Sequence, residues 1–145
     1  MSSSSPESSS TSKTYHGSCH CKAIRFTATL PEPLHPEGTG KVLRCNCSIC
    51  TKNGYFLVYP LRHDVIFEPG CEEKMKAYLM GLKTKPHRFC SECSSSILID
   101  FEKSTFEKER KFLAVNAAMF TDFDLGKAEI QTFDGRERLG PKYEA

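Results

Sequence analysis

Along most of this chain, apolar and polar residues alternate over short stretches and nowhere hold the rhythm of a long amphipathic helix. Between Ala23 and Leu30, Ile24, Phe26, Ala28 and Leu30 fall on one face, and Ala23, Arg25, Thr27 and Thr29 on the other. That period of two marks a half-buried strand. Pro31 to Gly40 holds three prolines and two glycines and reads as a loop. Lys41 to Arg44 forms a short strand running into a cysteine cluster, and Tyr55 to Tyr59 has the aromatic and branched content of a buried strand. Val65 to Phe67 is a further strand, closed by the turn Glu68-Pro69-Gly70. Met75 to Met80 fits either a strand or one amphipathic turn. In Ser96 to Phe101, Ile97, Ile99 and Phe101 alternate with Leu98 and Asp100, and Phe112 to Val115 and Glu129 to Phe133 complete the set. Short strands punctuated every ten residues or so predict an all-β sandwich or barrel in a single domain.

Composition narrows the function. The chain has 145 residues, 39% hydrophobic and 26% charged, which suits one soluble domain able to bury its own core. No apolar run approaches the roughly 18 residues of a membrane-spanning helix. A formal charge of +2 with scattered Lys and Arg predicts neither a nucleic-acid nor a membrane partner. Residues 1–14 are nearly all Ser and Thr and read as a disordered tail. The tail has no apolar stretch of the secretory kind, lacks Arg and carries Glu7, so the expected location is cytoplasmic. In that reducing compartment, clustered cysteines more often bind metal or do chemistry than form disulfides.

There are eight cysteines. Cys19 and Cys21 form C-x-C, Cys45, Cys47 and Cys50 form C-x-C-x-x-C, Cys90 and Cys93 form C-x-x-C, and Cys71 stands alone. A single C-x-x-C also serves redox enzymes on a βαβ framework, which this chain lacks; three tight clusters point to zinc. Cys19, Cys21, Cys90 and Cys93 together fill a four-thiolate shell, a structural site closing a long loop where a metal clip helps most. Cys45, Cys47 and Cys50 remain, one ligand short. Three protein ligands with an open position are the arrangement of a catalytic or substrate-binding zinc. Cys71 is the obvious candidate to fill the gap, but its neighbours Glu72 and Glu73 suit an exposed loop, so the site is expected to stay open.

These residues carry a family resemblance. Gly17-Ser18-Cys19-His20-Cys21, then Cys45 to Cys50 with Gly54 four positions on, then Phe89-Cys90-Ser91-Glu92-Cys93, resemble the glutathione-dependent formaldehyde-activating enzymes, also called the centromere-protein-V-like group. Val115-Asn116-Ala117 and Thr132-Phe133-Asp134 are similar to its C-terminal strands. The resemblance covers residues 15–142. It implies an all-β fold of zinc-bound antiparallel sheets in a tent-like arrangement, with two zinc ions per chain divided as the counting divides them. It further implies glutathione as co-substrate and formaldehyde or another small carbonyl compound as its partner. Two features depart from the family pattern. Lys22 and Ser94 stand where the family usually has glycines for tight knuckle turns. The loop Pro31 to Gly40 is also long, and it precedes the second cluster, where it would bear on substrate choice.

The chemistry suits such a site. A free thiol with a pKa of about 8.5 is mostly protonated at neutral pH, and zinc deprotonates it. The thiolate can then add to an aldehyde carbon, and the reverse reaction is a carbon–sulfur lyase. Arg44 and Lys52 flank the open cluster and are candidate partners for substrate carboxylates. His20 points away from its neighbouring ligands, His63 beside Arg62 is expected to be solvated, His87 is a spare nitrogen ligand or a structural residue, and Asn116 is placed to hydrogen-bond a turn. The competing readings are a non-catalytic zinc module for protein or nucleic-acid contact, the latter disfavoured by the near-neutral charge, and the same enzyme acting on a different metabolite.

Overall fold

The computed structural model describes residues 11–80 and 83–138. Its strands in chain order are β1 (Lys13–Ser18), β2 (Arg25–Leu30), β3 (Val42–Cys45), β4 (Leu57–Val58), β5 (Val65–Phe67), β6 (Met75–Tyr78), β7 (His87–Cys90), β8 (Ser96–Asp100), β9 (Leu113–Asn116) and β10 (Ile130–Phe133). Among the described residues the named α-helices are short: α1 (Ser48–Asn53) and α2 (Gly135–Arg138). Strands β1, β2 and β5 form a small sheet, and the large one runs β10-β3-β4-β9-β8-β7-β6. Neither sheet closes on itself, so the architecture is all-β and open, as the alternation predicts.

The pattern of burial explains the pairing. Phe26, Ala28 and Leu30 turn inward from β2 while Arg25 faces solvent, and β1 supplies Tyr15 to the same core. These residues join Val42, Val58, Leu113 and Val115 of the large sheet in one apolar cluster, so the two sheets share a core. The large sheet is apolar on its other face as well. Leu57, Ile99 and Ala114 there pack with Tyr55, Phe101, Cys45 and Cys50 in a second cluster. That is why Leu98 is buried although Ile97 and Ile99 flank it: β8 has a core on each side. Gly17 lies opposite Phe26 across β1 and β2, and a Cβ at Gly17 would come within 2.3 Å of the Phe26 ring. Only glycine lets that ring lie over the neighbouring strand.

Three details depart from the sequence expectation. Strand β1 begins at Lys13, which pairs with Leu30, so Lys13 and Thr14 belong to the sheet; residues 1–10 of the expected tail lie outside the described residues. The sheets are not wholly antiparallel, because β10 runs parallel to β3, with Val42 N–H donating to the Glu129 carbonyl at 2.9 Å and Phe133 in register with Cys45. The chain reaches that free edge of β3 only after a long excursion, the kind of connection that a parallel pair requires. Met75 to Tyr78 resolves as strand because β7, too short and mixed to be read from sequence, offers it an edge: Met75 pairs with Cys90 and Tyr78 with His87. Among the described residues no helix is long and apolar enough to cross a membrane.

Candidate metal centres

Two matching turns build the first cluster. Cys19 follows β1 and Cys21 lies in the turn to β2, while Cys90 ends β7 and Cys93 lies in the turn to β8. In the first turn Cys19 N–H donates to the Ile24 carbonyl (3.1 Å) and Lys22 N–H to the Cys19 carbonyl (3.1 Å). In the second, Cys90 N–H donates to the Ser95 carbonyl (3.0 Å) and Ser94 N–H to the Cys90 carbonyl (2.9 Å). Both turns close through a left-handed residue, Lys22 at φ 67° and Ser94 at φ 68°, the two positions where the resemblance expects glycine. Ser95 ties them together: its hydroxyl accepts from His20 N–H at 3.2 Å and lies 3.1 Å from Cys93 Sγ.

The four sulfurs lie within 4.8 Å of one another. Cys21 Sγ is 3.7 Å from both Cys19 Sγ and Cys90 Sγ. A tetrahedron with Zn–S bonds of about 2.3 Å has edges of about 3.8 Å, so the donor set fits zinc. Backbone amides also point at sulfur, from Ile24 to Cys19 and from Glu92 to Cys90, each at 3.3 Å. Such bonds favour the thiolate. The Cys93 thiol is drawn down to about 5, first by its hydrogen bond with Ser95.

The second cluster is local. Cys45 is the last residue of β3, Cys47 caps α1, and Cys50 lies in that helix with its side chain buried. Thr51 N–H returns to the Cys47 carbonyl (3.0 Å). The helix ends at Gly54, left-handed at φ 63° and ψ 38°, whose N–H bonds the Cys50 carbonyl. Open space surrounds the Cβ position there, so backbone conformation alone selects glycine. The three sulfurs again lie within 4.8 Å of one another, and among the described residues no fourth Cys, His, Asp or Glu joins them. The hydrogen bond with Cys50 pulls the Cys47 thiol down to about 5, while the same interaction and burial push Cys50 far up. Burial raises Cys45 too. Ionising all three together would therefore need a cation, and the set fits a divalent metal that accepts soft ligands.

The other candidate residues fall in different places. Arg44 neighbours Cys45 on β3, so the two side chains leave opposite faces of the strand. Its guanidinium stacks 4.5 Å from the Phe56 ring, away from the sulfur side. Lys52 is exposed on the last turn of α1. His20 and His63 are exposed. His87 is buried, with Nδ1 3.0 Å from the Tyr55 hydroxyl, and burial followed by the nearby Lys85 charge lowers its pKa to about 4. Asn116 caps the turn after β9, its Oδ1 accepting from Phe56 and Ala118 N–H (both 3.2 Å) and its Nδ2 donating to the Ser96 carbonyl (2.9 Å).

Cys71 corrects the expectation of an exposed loop: it is 4% exposed, held between Arg25 N–H and the Ala23 carbonyl, each 3.4 Å from its sulfur. It belongs to neither cluster. The turn that follows β5 tucks the thiol inward and leaves Glu72 and Glu73 outside. The long loop also lies elsewhere than expected. Leu34 N–H donates to the Tyr15 hydroxyl (2.8 Å) and His35 lies 3.8 Å from Glu129, which places the loop at the start of β3, opposite the end that carries Cys45.

An open all-β fold with one four-sulfur and one three-sulfur cluster defines a class of cysteine-cluster proteins. The sequence pattern of the glutathione-dependent formaldehyde-activating enzymes matches residues 14–136, and the chain belongs to that family. A curated protein of Halomonas elongata that bears the family's name is 36% identical over 90 residues, covering 57% of this chain and 54% of its own length. The chain thus matches about half the length of that relative. A crystal structure of a Rhodobacter sphaeroides protein shares the fold, with a TM-score of 0.61 and 24% identity over 80% of this chain and 99% of that one.

Proposed function

We propose that the chain is a zinc-dependent enzyme of the carbon–sulfur lyase type that activates a small thiol, glutathione, for reversible addition to formaldehyde or another small carbonyl compound. In this reading Cys45, Cys47 and Cys50 hold the catalytic zinc, and Cys19, Cys21, Cys90 and Cys93 hold a structural one. The observation that carries it is the difference in ligand number: four sulfurs converge in one cluster and three in the other. Bound zinc would supply a positive charge that keeps a further sulfur ligand ionised at neutral pH.

The chain's own groups account for the rest. Leu57, Ile99 and Phe101 pack with Cys45 and Cys50, and Ile49, Phe112 and Phe133 lie against them. This apolar wall limits hydration of an incoming sulfur and so preserves its nucleophilicity. The thiol gives up its proton, its sulfur bonds to the carbonyl carbon, and the carbonyl oxygen takes a proton to give the thiohemiacetal; the lyase direction reverses each change. Lys52, exposed on the last turn of α1, would offer a cation to a substrate carboxylate. None of the eight cysteines is paired in a disulfide, which suits a reducing, cytoplasmic setting.

The test uses protein loaded with cobalt. Glutathione should change the thiolate-to-metal charge-transfer bands, and Cys45→Ser, Cys47→Ser or Cys50→Ser should abolish the change. Formaldehyde should then consume glutathione faster than in a metal-free control. A spectrum indifferent to every small thiol would instead favour a non-catalytic zinc module.

A further inference from the structure

Asn46 sits between two of the three cysteines, and every polar group of its side chain and its backbone N–H reaches toward one distant segment. Its backbone N–H donates to the Phe133 carbonyl at 3.2 Å. Its Nδ2 donates to Asp134 Oδ1 at 2.9 Å, and its Oδ1 accepts from Arg136 N–H at 2.8 Å. Asp134 in turn caps α2, with Oδ1 accepting from Glu137 N–H at 3.3 Å and its carbonyl from Arg138 N–H at 3.1 Å. The parallel pairing of β10 with β3 sets this up, because it brings Phe133 into register with Cys45. One residue therefore fastens the three-cysteine loop to the end of β10 and to α2, across 88 positions of sequence.

From this clasp we infer that Asn46 is a positioning residue for the three-sulfur site, and that zinc binding there and docking of residues 133–138 strengthen each other. The inference rests on the reading that this cluster holds zinc. Cys45 ends β3 and Cys47 begins α1, so the orientation of the single residue between them sets how their sulfurs converge. The Asp134 and Arg136 bonds fix that peptide from outside, as groups behind a ligand shell do, where a loss typically weakens metal binding by about tenfold or more. Coupling free energies are reciprocal, so zinc must hold the segment down by the same factor that the segment adds to zinc affinity.

The experiment is competition for zinc against a chromophoric chelator, together with amide exchange of residues 130–138. Wild-type protein should release two zinc ions in two steps. Asn46→Ala should weaken one step about tenfold and leave the other unchanged, and Asp134→Ala, altered outside the loop, should act on the same step. The double variant Asn46→Asp with Asp134→Asn exchanges the donor and acceptor ends of the bond and should recover most of the lost affinity, whereas Asn46→Asp alone sets two carboxylates together and should not. Amides of Arg136 and Glu137 should exchange about tenfold faster when Cys47→Ser empties the site. Two zinc ions with unchanged affinity in both single variants, or exchange indifferent to zinc, would overturn the clasp and leave the zinc reading standing. A wild-type protein that takes one zinc would overturn both. Should Asn46→Ala fail to fold, Asp134→Ala and its exchange rates decide.

Discussion

The four-sulfur and three-sulfur clusters use the same residue type and opposite construction. The first draws its ligands from two turns 69 positions apart, one on each sheet, with Cys19 and Cys90 buried in the shared core. The second takes all its ligands from six consecutive residues at the end of one strand, on the far face of the large sheet. A metal in the first must hold the fold together, since its ligands meet only once both sheets are in place. A metal in the second asks little of the fold and can be left with an incomplete shell. In the proposed reading, division of labour between two chemically alike sites would thus follow from where the chain places them, more than from the ligands themselves.

The largest expected effect tests that division directly. Binding of a structural zinc is worth about 10–16 kcal/mol in small domains, as much as the whole net stability of a typical one. Cys90→Ser, at a residue with no exposure, should therefore yield unfolded or aggregated protein. Cys47→Ser should stay folded, lose one zinc and melt only a few degrees lower. Zinc content and thermal unfolding measured on both variants check this, and equal losses would erase the distinction between the clusters.

The second prediction concerns the link between the two regions. Tyr55 packs beneath the three-sulfur loop and bonds His87, which lies on the strand ending in Cys90. His87 has a folded pKa of about 4 against an ordinary 6.5, so as pH falls the unfolded chain takes up the proton first. Its contribution is whole above about pH 6.5 and drains away between there and about pH 4. By pH 5 the loss is about 2 kcal/mol. Denaturant unfolding at pH 7 and pH 5 should show His87→Gln losing less stability than the wild type over that interval. Thiolate protonation acts in both proteins, so the difference isolates His87.

How much of this was legible depends on whether the cause is local. The β2 alternation, the loop at Pro31 to Gly40 and the tight local spacing of the cysteines all follow from neighbouring residues, and the structure gathers those cysteines into a four-sulfur and a three-sulfur group. Strand β7 was not visible, since its four residues mix polar and apolar types and become a strand only through the edges of β6 and β8. The Asn46–Asp134 bond spans 88 positions and carries no local signal. Arg44 lies over Phe56 for a simpler reason: adjacency in sequence along a strand means opposite faces in space. Two left-handed turn residues, by contrast, could be anticipated from the positions where the family prefers glycine.

Cys71 sharpens the comparison from a third side. It is buried in the same core as Cys19 and Cys90 yet joins neither cluster, because its thiol is already matched by Arg25 N–H and the Ala23 carbonyl. Cys71→Ala should cost about 1–2 kcal/mol, mostly from the small cavity and the lost hydrogen bonds, in the ordinary range of buried point changes. Zinc content should remain at two per chain. A loss of one equivalent would show that the three-sulfur site recruits Cys71 as a fourth ligand, and the open position with it would vanish.

The smallest effect lies in the turns of the four-sulfur cluster. Ser94 is exposed and adopts φ 68°, a conformation in which an L side chain crowds its own carbonyl at a cost of about 1–2 kcal/mol. Glycine removes that strain but adds freedom to the unfolded chain, which gives back about 0.5–1 kcal/mol. Ser94→Gly should then stabilise by about 0.5–1 kcal/mol, and Lys22→Gly, at φ 67° in the matching turn, by a similar amount. The gains should add, since the substitutions relieve separate turns. Gly54 offers the mirror experiment, because Gly54→Ala imposes the same left-handed strain on the three-sulfur side. It should lower the zinc affinity of that site more than the melting temperature, whereas the Ser94 and Lys22 changes should act on melting alone. Thermal unfolding and zinc competition on the three variants measure both quantities, and a melting gain in Ser94→Gly bought by weaker zinc binding would mean that the strained turn is part of the ligand geometry.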